Sequence, residues 1–109
     1  MSFERVAGTS EIAPGGMKKV TVKGQNILIV NVNGSYHAMG SVCTHMKGNL
    51  SLGTLEGDTI TCPKHGQKFD VTTGKSVQGP KVAFIKMKGK DEQRYELRVE
   101  GNDILVSVE

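Results

Sequence analysis

Two short segments have to meet in space: Cys43-Thr44-His45 and, sixteen residues further on, Cys62-Pro63-Lys64-His65. They contain both cysteines and two of the three histidines of a 109-residue chain. Each offers one thiolate and one imidazole, side chains that bind transition metals readily. The spacer is long enough for two loops to close on one bound group from opposite sides. In the first segment one residue separates the donors, so an extended strand end sets both on the same side of the loop. In the second, two residues separate them, which suits a tight turn stiffened by Pro63. Gly66 directly after His65, and Gly48 in the first loop, let backbone pass close to a bound group. Plain turn formation is the equally simple reading of either glycine.

The rest of the chain predicts what holds those loops. No window sustains the helical period, whereas short apolar and β-branched stretches recur between turn signals. Lys18 to Lys23 alternates and meets Gly24-Gln25-Asn26; Ile27 to Val32 reads as a buried strand. Asn33-Gly34 is a favoured pair for a tight hairpin, with Ser35 to Met39 returning as the partner strand. Leu50, Leu52 and Leu55 lead to a Glu56-Gly57-Asp58 turn, and Thr59-Ile60-Thr61 delivers Cys62 into the second loop. Further strands are predicted over Lys68 to Val71, Val82 to Met87, Tyr95 to Val99 and Ile104 to Val108, with turns at Thr72 to Lys75, Gly89 to Asp91 and Gly101 to Asp103. The pattern is that of an all-β antiparallel sandwich or small barrel, with the paired donors in loops at one tip.

Length and composition narrow the function. A chain of this size forms one domain, 1–109, that buries about two-thirds of its unfolded surface. A net charge of +3 is too mild for a nucleic-acid binder, and no Lys/Arg cluster is interleaved with aromatic residues. Nothing approaches the ~20 apolar residues of a bilayer span, and Met1-Ser2-Phe3-Glu4-Arg5 lacks the apolar stretch of a signal peptide. The expectation is a soluble, cytoplasmic protein, where a Cys43–Cys62 disulfide is disfavoured.

Two thiolates and two imidazoles suit a two-iron two-sulfur cluster, with cysteines on one iron and histidines on the other. Zinc is the chemical rival, since Cys2His2 sets hold it tetrahedrally, although zinc modules typically separate paired ligands by about two to four residues. A catalytic Cys–His pair leaves the second pair unexplained. His37, in Ser35-Tyr36-His37-Ala38, reads as a strand residue facing solvent or satisfied locally.

The segments Cys43-Thr44-His45, Leu50-Ser51-Leu52-Gly53, Cys62-Pro63-Lys64-His65-Gly66 and Phe69-Asp70-Val71-Thr72-Thr73-Gly74-Lys75 together resemble the Rieske ferredoxins. These include the soluble ferredoxin components of aromatic-ring dioxygenases and related free carriers. The resemblance implies an antiparallel Rieske β-sandwich with a small inserted cluster-binding subdomain at about 41–80. It also implies one 2Fe-2S cluster per chain, held by Cys43, His45, Cys62 and His65, and a third loop around Gln78-Gly79-Pro80 that shields it. Membrane-bound Rieske proteins carry an extra disulfide-forming cysteine in each loop; the matching positions here are Gly48 and Lys64. Those proteins also place Ser and Tyr hydroxyls near the cluster sulfurs, where this chain has Gln67 and Phe69. A reduction potential at the low end of the Rieske range, about −150 mV, follows.

The implied function is one-electron transfer from a reductase to a terminal oxygenase or other acceptor, by a monomer with no catalytic residues of its own. The alternative is a fixed small electron-transfer subunit of an oxygenase or of a complex like nitrite reductase. Lys47, Lys64 and Lys68 flank the donors. As solvated surface they need no function; as a basic rim they steer the tip toward acidic docking surfaces.

Overall fold

The computed structural model describes residues 2–42, 49–63, 66–78, 81–82, 85–86 and 92–108. Among them lie thirteen strands. The first four are β1 (Ser2–Gly8), β2 (Met17–Val22), β3 (Gln25–Val32) and β4 (Ser35–Gly40). Next come β5 (Thr54–Glu56), β6 (Thr59–Thr61), β7 (Lys68–Asp70) and β8 (Ser76–Gln78). The last five are β9 (Lys81–Val82), β10 (Ile85–Lys86), β11 (Arg94–Tyr95), β12 (Leu97–Glu100) and β13 (Asp103–Val108). Two single 3-10 turns, Thr9–Glu11 and Leu50–Leu52, are the helical elements of the described residues. All strand pairs are antiparallel, as the sequence predicts.

The run Ile27-Leu28-Ile29-Val30 explains the layering. A strand with one solvated face alternates; a strand covered on both faces is apolar throughout. All four residues are fully buried. β3 lies inside a central sheet ordered β11-β4-β3-β2. Ile27 and Ile29, with Ala38 and Tyr95, pack against Ile104, Val106 and Val108 of an outer sheet ordered β1-β13-β12. Leu28 and Val30, with Met39, turn to the other side and pack on Ile60, Phe69 and Val71. Those last residues belong to or directly follow strands of a third sheet, β5-β6-β7-β8. Its strands span 54–78 and are inserted between β4 and β11 of the central sheet.

Turn chemistry sets the register. Asn33 and Gly34 have φ of 51° and 94°, the doubly left-handed backbone that the tight hairpin requires. Lys23 and Gly24 repeat it at 49° and 77°, so a lysine stands in a conformation that sequence statistics reserve for Gly and Asn.

Two predicted strands differ from what is observed. The stretch Val82 to Met87 is not one strand: β9 and β10 pair with each other, Val82 opposite Ile85, so the chain reverses there. Residues 83, 84 and 87 of that stretch lie outside the described residues. Tyr95 to Val99 is broken at Glu96, because the chain changes layers. Tyr95 pairs with Ala38 in the central sheet, and Leu97 with Val106 in the outer one. The Glu96 carbonyl accepts from Ser107 N–H at 2.9 Å across the switch.

Asn31 locks the N-terminal segment onto this frame. Its buried amide donates to the Ile12 carbonyl at 2.8 Å, and its Oδ1 accepts from Gly34 N–H at 2.7 Å. Asn31→Ala is expected to cost about 1–3 kcal/mol, since the groups it satisfies lose their partner. Denaturant unfolding of the purified variant measures it.

Candidate functional site

The third sheet carries the second pair of donors. β6 ends at Thr61, and Cys62 N–H donates to the Gln67 carbonyl at 2.8 Å, closing a loop before β7 begins. Thr61 and Lys68 pair just outside that bond. Cys62 is therefore the first residue of a closed hairpin loop, 1% exposed, among Leu28, Met39, Leu50, Ile60 and Phe69. Gly66, with φ of 69°, completes the reversal. His65 and Lys64 lie outside the described residues.

The first pair is carried by the end of β4. Ser41 N–H donates to the Asn26 carbonyl at 3.1 Å, keeping the chain beside β3 after the strand has ended. Val42 bridges to Asn49, and Leu50 N–H donates to the Ser41 carbonyl at 2.8 Å. These contacts draw the two ends of segment 43–48 together. Cys43, His45, Lys47 and Gly48 belong to that segment and lie outside the described residues, as do Gly79 and Pro80 of the proposed third loop.

The two loop bases are neighbours, and a short relay makes them so. Asn49 caps the Leu50–Leu52 turn, its Oδ1 accepting from Ser51 N–H at 3.0 Å and Ser51 Oγ at 2.6 Å. Gly53 follows, packed so closely on β6 that a Cβ there would strike the Thr61 carbonyl oxygen. Thr54 then pairs with Thr61, the residue before Cys62. The fully buried Leu50 shares its core with Cys62. Asn49, Gly53 and Gln67 thus shape the site without being donors. A capping Asn two residues before Ser51 was the readable signal; the role of Gln67 depends on pairing across the hairpin and had none.

His37 is half-buried, on the face of β4 that it shares with Met39 and that turns toward the third sheet. Burial lowers its pKa, Arg94 lowers it further, and Asp70 opposes both. The Asp70 carboxylate is held below its ordinary range by hydrogen bonds from Thr72 Oγ1 at 2.6 Å and Thr72 N–H at 2.9 Å. His37 therefore links the central and third sheets electrostatically. Lys68, of the predicted basic rim, is half-buried in β7.

Burial of Cys62 suits a metal-bound thiolate, whose charge the metal offsets, and an inert thiol alike. Its position distinguishes the two. An inert core cysteine has no reason to open a closed loop beside a second loop bearing the same donor types.

Family comparison decides between iron and zinc. Residues 2–88 match the model of the Rieske [2Fe-2S] domain. The chain belongs to the Rieske family. Among its relatives, the biphenyl dioxygenase ferredoxin subunit of Pseudomonas sp. (strain KKS102) is 36% identical over 107 residues, covering 97% of this chain and 92% of that one. The ferredoxin component of the naphthalene 1,2-dioxygenase system of Pseudomonas aeruginosa is 34% identical, over 90% and 88% of the two chains. In three dimensions the ferredoxin of carbazole 1,9a-dioxygenase from Nocardioides aromaticivorans IC177 superposes over the whole of both chains, with a TM-score of 0.81 and 27% identity. A chain from a complex of reduced oxygenase and oxidized ferredoxin in carbazole 1,9a-dioxygenase gives 0.79 at 29% identity, over 96% and 92%. The cofactor of this Rieske protein is a 2Fe-2S cluster, and its work is electron transfer rather than catalysis. No helix among its described residues is long and apolar enough to cross a membrane.

Proposed function

We propose that Cys43 and Cys62 hold one iron of the cluster and His45 and His65 the other, and that the chain carries single electrons from a reductase to a terminal aromatic-ring oxygenase. The observation that carries this reading is the convergence of two closed loop bases, Val42/Asn49 and Cys62/Gln67, at one end of the third sheet. Each loop brings one thiol and one imidazole. The segment of about 41–80 then forms the cluster-binding subdomain, stiffened by its own sheet and seated on β3 and β4 through Leu28, Val30 and Met39. The oxygenase as acceptor is supported by the relatives, which are ferredoxin components of dioxygenase systems. It is supported too by the solved complex of a structurally similar ferredoxin with its oxygenase. The carrier works as a monomer in the cytoplasm.

The bound cluster supplies a centre that gains and loses one electron. The chain supplies the rest. Apolar residues around Cys62 exclude water from the thiolate side, and the closed loop bases hold the ends of both donor segments.

Absorption and EPR spectra of the dithionite-reduced protein, with iron and sulfide analysis, test the proposal. The expected result is two irons and two sulfides per chain, as the family's cluster requires, with the low average g-value of a histidine-ligated mixed-valence pair. A colourless, EPR-silent protein holding one zinc would overturn it. Purification alone, with reversible re-reduction by a separate reductase, identifies a free carrier rather than a fixed subunit.

A further inference from the structure

Glu92 is a half-buried carboxyl group whose one described donor is the Gln93 backbone N–H. Its Oε2 is buried and accepts no hydrogen bond, and among the described residues no cation pairs with it. Its other oxygen lies against Gly40, where any Cβ would collide with it. The backbone around it ties two layers together. Glu92 N–H donates to the Gly74 carbonyl at 2.7 Å, on the turn between β7 and β8 of the third sheet. Gly40 N–H, at the end of β4 in the central sheet, donates to the Gln93 carbonyl at 2.8 Å. Gly74 is pressed so near the Glu92 carbonyl that it too has no room for a side chain. Gly40 stands three residues before Cys43, and the Gly74 turn ends the hairpin that carries Cys62 and His65.

Among the described residues, the surroundings offer little to a charge. From β11, Tyr95 points its hydroxyl to Gln25 Oε1 at 2.8 Å, and its own pKa is raised by burial and by the Glu92 carboxylate. Arg94, next to it, pairs with Met39 and by strand alternation lies on the opposite face, with His37. From the turn, the Asp70 carboxylate is engaged by Thr72, and Lys75 is exposed.

We propose that Glu92 is a proton-operated clasp: its neutral carboxyl, seated on Gly40, locks the cluster-bearing sheet to the central sheet, and its ionisation releases the joint. An ionised carboxylate must recover hydration, and the route to water leads off Gly40, straining the two backbone bonds that flank it. Burial pushes the Glu92 pKa from 4.5 to about 7, so the transition falls near neutrality. The sign follows from linkage. Between the two values the folded protein holds a proton that the unfolded chain has lost, so stability falls as pH rises from 4.5 to about 7 and is level above. The inference rests on the fold and on the presence of the cluster, and is independent of which protein receives the electron.

Thermal unfolding of the holoprotein by circular dichroism, with cluster bleaching followed in the visible, tests it across pH against Glu92→Gln and Glu92→Met. Wild type is expected to lose roughly 5 °C between about pH 5 and pH 8 relative to either variant, and to bleach several-fold faster at the upper end. His37 and the ligand histidines titrate in all three proteins and cancel in the comparison. Parallel pH profiles in wild type and both variants would overturn the clasp. Failure of both variants to fold would overturn it as well, because a seat for a neutral side chain must accept them.

Discussion

Cys62→Ser is expected to strip the protein of iron and sulfide while leaving one of its two cores standing. The thiol is 1% exposed and opens the loop between β6 and β7. Serine is a poor ligand for iron–sulfur clusters, where thiolates are required. Its hydroxyl would also sit among Leu28, Met39, Ile60 and Phe69, at a cost of about 1–3 kcal/mol if it finds no partner there. The damage should be confined to one side of β3. The core between the central and outer sheets, built from Ile27, Ile29, Ala38, Tyr95, Ile104 and Val106, contains no described residue of the metal loops. The measurement is iron analysis and visible absorption together with far-UV circular dichroism. Iron near zero with the strand signal retained is the expected result. Retention of two irons and an unchanged EPR spectrum would remove Cys62 from the ligand set.

That two-core arrangement was legible in part. The unbroken apolar run of β3 announces a strand covered on both faces, and Asn33-Gly34 announces its hairpin. The candidate donors stand out as a pair of pairs, because a thiol and an imidazole at short spacing, twice, have few other uses. What could not be read depends on pairing between distant residues. The break at Glu96 follows from β11 joining the central sheet and β12 the outer one. Neither half differs in local pattern. β1 carries both buried and exposed positions, with a register shift between Arg5 and Ala7 that blurs its alternation. His37 looked like an ordinary strand residue, since Arg94 reaches it from a neighbouring strand far along the chain and Asp70 from the third sheet. Glu92 was hidden for the same reason: nothing in Asp91-Glu92-Gln93 says that Gly40 and Gly74 close around it.

Voltammetry is expected to place the reduction potential at the bottom of the Rieske range, about −150 mV. The resemblance to membrane-bound Rieske proteins sets hydroxyl groups at two positions near the cluster sulfurs, and this chain has Gln67 and Phe69 there. Both are fully buried, and Phe69 shares the core that holds Cys62. Two ferric ions balance two sulfides and two thiolates, so an added electron makes the centre negative. Donors aimed at sulfur favour that reduced form. A phenyl ring supplies none. Phe69→Tyr is accordingly expected to raise the potential by roughly 60 mV. One hydrogen bond to a charged acceptor contributes about 1.5 kcal/mol, and a one-electron couple moves about 59 mV for each tenfold change in its equilibrium constant. The same substitution separates electronics from packing. A hydroxyl that finds sulfur shifts the potential at little cost in stability, whereas one that finds no acceptor lowers the melting temperature and leaves the potential where it was. The second outcome, or a wild-type potential well above zero, would show that the potential is not governed by missing hydroxyl donors.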